Sequence, residues 1–164
     1  MAQQVWKAES SIVDMAMNLI GQYHPDLALV SDEIAIIFRE KAGKAGGEVV
    51  LGKSRKASPL FGVLGETDYK FIIELAGDEW EGLTSKQKLA LLDHHLCACR
   101  TEEDPKTGDL KCFIAPPDVA MYFDEMDRYG DWRPRPDDDE TGPVSPVEEM
   151  FGKKDDEDDA GGED

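Results

Sequence analysis

A small α+β domain carrying an acidic tail is the fold class this 164-residue sequence predicts. Strand-like apolar runs at 34–38, 48–56, 69–75 and 110–114 are interspersed with amphipathic helical stretches at 8–22, 85–99 and 117–129. That mixture suits an α+β layer fold and not a helix bundle. The expected architecture is a short mixed or antiparallel sheet packed on three main helices. It would span residues 1–133, with residues 134–164 as a disordered acidic appendage.

The first helix rests on Ile12, Met15, Ala16, Leu19, Ile20 and Tyr23 at helical spacing, with Asp14 and Asn18 on the other side. His24-Pro25 ends it, because the residue before a proline is pushed out of helical geometry. His24, a lone histidine at a helix end, reads as a cap or surface residue. Ile34-Ala35-Ile36-Ile37-Phe38 is β-branched and continuously apolar, a buried strand. The glycine-rich stretch 41–47 lacks the Gly-Lys-Ser/Thr of a phosphate loop and reads as a hairpin loop, from which 48–56 pairs back as the next strand.

Ser58 and Pro59 start a short helical turn to Leu64 as N-cap and first residue. Residues 69–75 form the third strand, in which Phe71, Ile73 and Leu75 alternate with Lys70 and Glu74. Thr84 and Gln87 make a capping box that opens the helix over 85–99. Its apolar stripe is Leu89, Leu92, Leu96 and Cys99. Residues 101–109 are polar, with Pro105 and Gly108, and read as a loop before the strand at 110–114. The last helix follows Pro117, presents Val119, Tyr122, Phe123 and Met126, and ends at Gly130.

The formal net charge is −18, of which −10 falls on residues 134–164 (13 acids, 3 bases). That balance argues against direct nucleic-acid binding, which depends on Lys and Arg neutralising phosphates. Lys53, Arg55 and Lys56 form one basic cluster, read as a solvated face. Three cysteines without framework spacing point to reduced thiols. The first residues lack the apolar run of a signal peptide. No stretch approaches the ~20 apolar residues of a membrane span. The expected location is the cytoplasm, without membrane contact.

The chemistry-bearing stretch is Asp93-His94-His95-Leu96-Cys97-Ala98-Cys99, with two of the three histidines and two of the three cysteines. A zinc-peptidase helix reads His-Glu-x-x-His: two imidazoles one turn apart hold Zn²⁺, and the Glu activates water. In that frame His94 is the first ligand, His95 stands at the Glu and Ala98 at the second ligand. A shifted frame pairs His95 with Cys99, which share a helix face but have no neighbouring carboxylate base. His94, His95 and Cys99 are thus the candidate metal ligands. Cys97, Cys112 and Asp118 complete a wider set with the chemistry for Zn²⁺, and Asp93, Asp124 and Glu125 are nearby carboxylates. The plain alternative puts His94 and His95 astride the core boundary and makes the cysteines small buried apolar residues.

An ordered set of strings resembles the phage metallopeptidase domain, a zincin-like family: Tyr23-His24-Pro25, Ile36-Ile37-Phe38-Arg39, Leu51-Gly52-Lys53, Ala90-Leu91-Leu92-Asp93-His94, Pro117-Asp118-Val119 and Arg128-Tyr129-Gly130. The resemblance covers about residues 8–132 and implies a zincin-like core and a phage or prophage origin. The family reads Asp-His-Glu-Leu-Cys-His where this chain has Asp93-His94-His95-Leu96-Cys97-Ala98. Its downstream His-Asp-Val, which would supply a third ligand, appears as Pro117-Asp118-Val119. The resemblance therefore implies a vestigial site around His94, His95, Ala98 and Pro117. No catalytic residue and no cofactor are expected in it, and Zn²⁺ on an altered ligand set is the alternative.

Pro134, Pro136 and the acidic blocks 137–140 and 155–159 imply an extended, self-repelling tail. Within it Val147, Met150 and Phe151 form an apolar island suited to docking on a partner. Three functions follow: a metallopeptidase-like domain without catalysis that binds a host cytoplasmic protein, an active or altered-ligand zinc peptidase, and an acidic decoy of a nucleic-acid-binding host protein.

Overall fold

The structure, a computed structural model, describes residues 2–65 and 68–132. Strand β1 (Val5–Lys7) leads into helix α1 (Ser10–Tyr23), which His24 caps by donating its backbone N–H to the Ile20 carbonyl. Pro25 begins a 3₁₀ helix, Pro25–Glu33, in place of the simple connection that the helix-breaking proline suggests. Strand β2 (Ile34–Arg39) follows, then a small hairpin of β3 (Gly43–Ala45) and β4 (Glu48–Val50). Its turn uses Gly46 and Gly47 at positive φ. Strand β5 is Gly52–Lys56, helix α2 Leu60–Leu64 and strand β6 Phe71–Ala76.

Helix α3 (Gly77–Glu81) buries Trp80. Helix α4 (Ser85–Ala98) opens on the expected capping box: Thr84 Oγ1 accepts from Gln87 N–H at 3.2 Å, and Gln87 Oε1 accepts from Thr84 N–H at 2.9 Å. Strands β7 (Cys99–Glu103) and β8 (Leu110–Ile114) form a second hairpin. Residues 101–103, expected as loop, therefore belong to a strand. The ladder to Leu110–Cys112 overrides their polarity, because a hairpin with exposed faces tolerates polar residues. The chain divides into two compact units, Met1–Pro117 and Asp118–Asp164. Within the second, α5 (Phe123–Tyr129) starts later than its apolar spacing suggests and ends at Gly130, φ 64°.

The main sheet has the order β1-β2-β6-β5, with β2 and β6 parallel and both edges antiparallel. The expectation that 48–56 pairs back on the preceding strand is corrected: β6 inserts between β2 and β5. The physical reason lies in composition. Ile36 and Phe38 of β2 and Phe71, Ile73 and Leu75 of β6 are buried, so these strands take the centre. Gly-Lys-Ser-Arg-Lys of β5 is suited to an edge, where lysines discourage further pairing. The sheet is mixed, as the sequence suggests.

Glu74 on β6 fixes the polar face by accepting from Arg39 Nε at 2.7 Å and from Arg55 Nη2 at 3.2 Å. The buried cluster joins Ala16, Leu19 and Ile20 of α1, Leu27 and Val30 of the 3₁₀ helix, and Leu92 and Leu96 of α4 to the central strands. Leu92, Leu96 and Cys99 are fully buried as expected, whereas Leu89 at the head of the stripe is 42% exposed. Among the described residues no helix is long and apolar enough to cross a membrane.

Candidate functional site

Helix α4 places its residues about 100° apart, so Leu92, Leu96 and Cys99 define the buried side and the remaining positions fall on two flanks and an outer face. His95 lies on the flank facing β5. Asp93 and Cys97, four residues apart, lie on the opposite flank. His94 and Ala98 share a third face, on which His94 is exposed and Ala98 half-buried.

His95 is 7% exposed and held from three directions. The Cys99 backbone N–H turns back to the Leu96 carbonyl, so it does not make the regular bond to the His95 carbonyl at the end of the helix. That carbonyl accepts instead from the Ser54 hydroxyl at 2.9 Å and the Cys99 thiol at 3.4 Å. Ser54 has one proton and donates it there. Its contact with His95 Nδ1, at 3.1 Å, is then a hydrogen bond from Nδ1–H to the Ser54 oxygen. The remaining nitrogen, Nε2, lies over Gly52: a Cβ on that residue would stand 2.5 Å from it. Glycine is required because the imidazole rests on the strand backbone.

Burial, with the neighbouring His94 adding to it, lowers the His95 imidazole to about 4. It is a neutral side chain at physiological pH. Burial likewise pushes the Cys99 thiol up to about 12 and raises Cys112 above its ordinary range, so both are inert thiols in the core. The reading that His94 and His95 straddle the core boundary describes their burial.

A zinc-peptidase frame needs an exposed carboxylate where His95 stands and imidazoles at both 94 and 98. Here the first ligand position is an exposed histidine, the base position a buried imidazole facing a strand, and the second ligand position an alanine. Pro117 has no side-chain donor. The residues present do not fit zinc in that frame. His94, His95 and Cys99 point to different surroundings: solvent, Ser54 and Gly52, and the His95 carbonyl. The apolar island Val147, Met150 and Phe151 lies outside the described residues, as does the acidic tail from 134.

The opposite flank holds a group that sequence reading passed over. His24 is 6% exposed, a buried cap, and its Nε2 lies 2.6 Å from Asp93 Oδ1. Donor atoms of His24, Asp93 and the exposed Cys97 lie within 4.8 Å of one another, the one such group of three among the described residues. Asp93 and Cys97 were identifiable from their spacing of four, but nothing local announces a partner 69 residues away. A separate cleft of about 940 Å³, lined by Lys56, Tyr69, Lys70 and Glu103 among others, touches neither flank.

The described residues form an α+β fold in which His94 and His95 sit on one helix, α4. The chain belongs to the family described as "Putative phage metallopeptidase", whose model matches residues 4–149. No curated protein and no solved structure matches it.

Proposed function

We propose that this chain is a phage metallopeptidase-family protein that has lost zinc-dependent peptide hydrolysis and acts as a binding module on a host cytoplasmic protein. The observation that carries the first half is the pose of His95. The residue at the general-base position is turned into the fold, its Nδ1–H given to Ser54 and its Nε2 covered by Gly52. A general base must reach the proton it abstracts, and His95 has no path to a substrate outside the fold. Ala98 and Pro117 remove two ligands as well, and one remaining imidazole does not substitute for three ligands and a base.

The binding half is supported by surface character. Leu60, Phe61, Val63 and Leu64 of α2 are exposed, and so are Tyr122 and Phe123 at the start of α5. Contiguous exposed apolar residues suit contact with another protein. Acidic residues along the rest of the chain would select basic surfaces on the partner and disfavour nucleic acid.

The test is a peptidase assay on the full chain with added Zn²⁺, over a panel of unstructured protein substrates. The expected result is no chelator-sensitive hydrolysis. The partner is sought in parallel by crosslinking in host cells, with Phe61→Ser and Phe123→Ser as surface variants that lose it. Chelator-sensitive hydrolysis abolished by His94→Ala would overturn the loss of catalysis. Full retention of every crosslinked partner by both surface variants would overturn the assigned surfaces.

A further inference from the structure

The flank of α4 opposite His95 carries donors that the proposed function does not use. We infer that His24, Asp93 and Cys97 form a site for a divalent transition cation, matched best by Zn²⁺, that ties the end of α1 to α4. The inference goes beyond the proposed function and is independent of it.

Three features build the site. Asp93 and Cys97 stand four residues apart on one helix, the spacing that brings two side chains to one cation. His24 is fixed from a second element: its backbone N–H caps α1 at Ile20 and its carbonyl accepts from Leu27 at 3.0 Å. Its side chain is buried and already directed at Asp93. The two helices also contact each other, and Leu19, Ile20, Leu92 and Leu96 belong to one buried cluster. Both arms of the site therefore sit on packed elements, and only the Asp93 and Cys97 side chains need to adjust.

The donor types select the cation. One imidazole, one carboxylate and one thiol exclude the hard ions Mg²⁺ and Ca²⁺, which take oxygen ligands. They suit Zn²⁺ and its neighbours. The competing account is that His24 and Asp93 simply satisfy each other, and their 2.6 Å separation is that of a hydrogen bond. Around a tetrahedral ion with bonds of about 2.0 Å the same two atoms would stand roughly 3.3 Å apart. Asp93 must therefore withdraw by roughly 0.7 Å, which its partly exposed side chain allows. Loading would release the Cys97 thiol proton to solvent and shift the His24 ring proton from Nε2 to Nδ1. With Asp93 used as a ligand, no carboxylate of the group remains as a base. The fourth position of a tetrahedral ion would fall to water.

The experiment uses the full chain stripped of metal under reducing conditions. Zn²⁺ is titrated with calorimetric detection, Co²⁺ with absorption detection, and the melting temperature is recorded with and without Zn²⁺. The expected result is one equivalent bound, a thiolate-to-cobalt charge-transfer band, and a melting temperature higher by roughly 5 °C or more at saturating Zn²⁺. Cys97→Ser, at an exposed position, should abolish the band and weaken Zn²⁺ by roughly tenfold or more. Asp93→Asn should weaken Zn²⁺ similarly, and His94→Ala should leave all readouts unchanged.

Absence of saturable uptake, or uptake and a band indifferent to Cys97→Ser, overturns the inference and leaves the proposed function standing. Uptake lost in His94→Ala but kept in Cys97→Ser would overturn both, because it would put the ion in the family's own frame.

Discussion

The two flanks of helix α4 received the same kinds of residue and put them to opposite ends. On one flank His95, flanked in sequence by His94 and Leu96, is driven into the fold. Its imidazole is neutral, its Nδ1–H given to Ser54 and its far edge laid on Gly52. On the other, Asp93 and Cys97 stay at the surface and meet His24, which comes buried from the end of another helix. The first flank carries only the base position of the altered hydrolase frame and, among the described residues, assembles no three-donor group; the second has no part in that frame and does. Ligand-type residues are thus not a site in themselves. Which side of the helix they fall on, and what packs against that side, decides whether they become packing or chemistry.

The largest way to break this comparison is at Gly52. An alanine there would place its Cβ 2.5 Å from His95 Nε2 and 2.9 Å from the Glu74 carbonyl, and the latter is backbone that does not rotate away. Gly52→Ala is expected to lose about 2–3 kcal/mol in urea unfolding, as overpacking does. Removing the ring with Gly52→Ala/His95→Ala would relieve only the first clash.

A smaller and more selective probe is pH. The folded His95 titrates near 4 against about 6.5 in the unfolded chain, so between those values the unfolded state binds the proton first. Its contribution to stability is complete above pH 6.5 and is lost as the pH falls toward 4. The loss amounts to about 2–3 kcal/mol by pH 4.5. His95→Gln should flatten that part of the stability profile measured by denaturant titration. An equal slope in wild type and variant would mean His95 is not buried as described.

The smallest effect is expected at His94. It is exposed, and its ring approaches the His95 ring edge-on at 5.2 Å between centroids. His94→Ala should change stability by no more than about 0.5 kcal/mol. A larger loss in thermal unfolding would give the surviving family histidine a role on this helix.

Much of this was legible in the chain. The Thr84–Gln87 capping box fixed where α4 begins, and the apolar spacing of Leu92 and Leu96 fixed which side it buries, because both signals are local. The central strands were legible for the same reason: Ile36, Phe38, Phe71, Ile73 and Leu75 leave no polar alternative. Strand order was not, since the insertion of β6 between β2 and β5 is settled by long-range pairing that periodicity does not encode. Strand β7 was missed because Arg100, Glu102 and Glu103 read as loop, and the 3₁₀ helix because Pro25 reads as an end. Within the site, the changed residues at 95, 98 and 117 announce themselves against the family pattern. The His24–Asp93 contact does not, because a lone histidine before a proline looks like a cap, and it is one.

The central claim is that the face bearing the family's metal frame no longer takes zinc. It is tested most directly by nitrogen NMR of the three imidazoles as Zn²⁺ is added to the metal-free protein near pH 7. The account predicts that His95 keeps its Nδ1–H signal and does not move, and that His94 stays a free, exposed ring. Joint movement of His94 and His95 into the metal-bound range would contradict it.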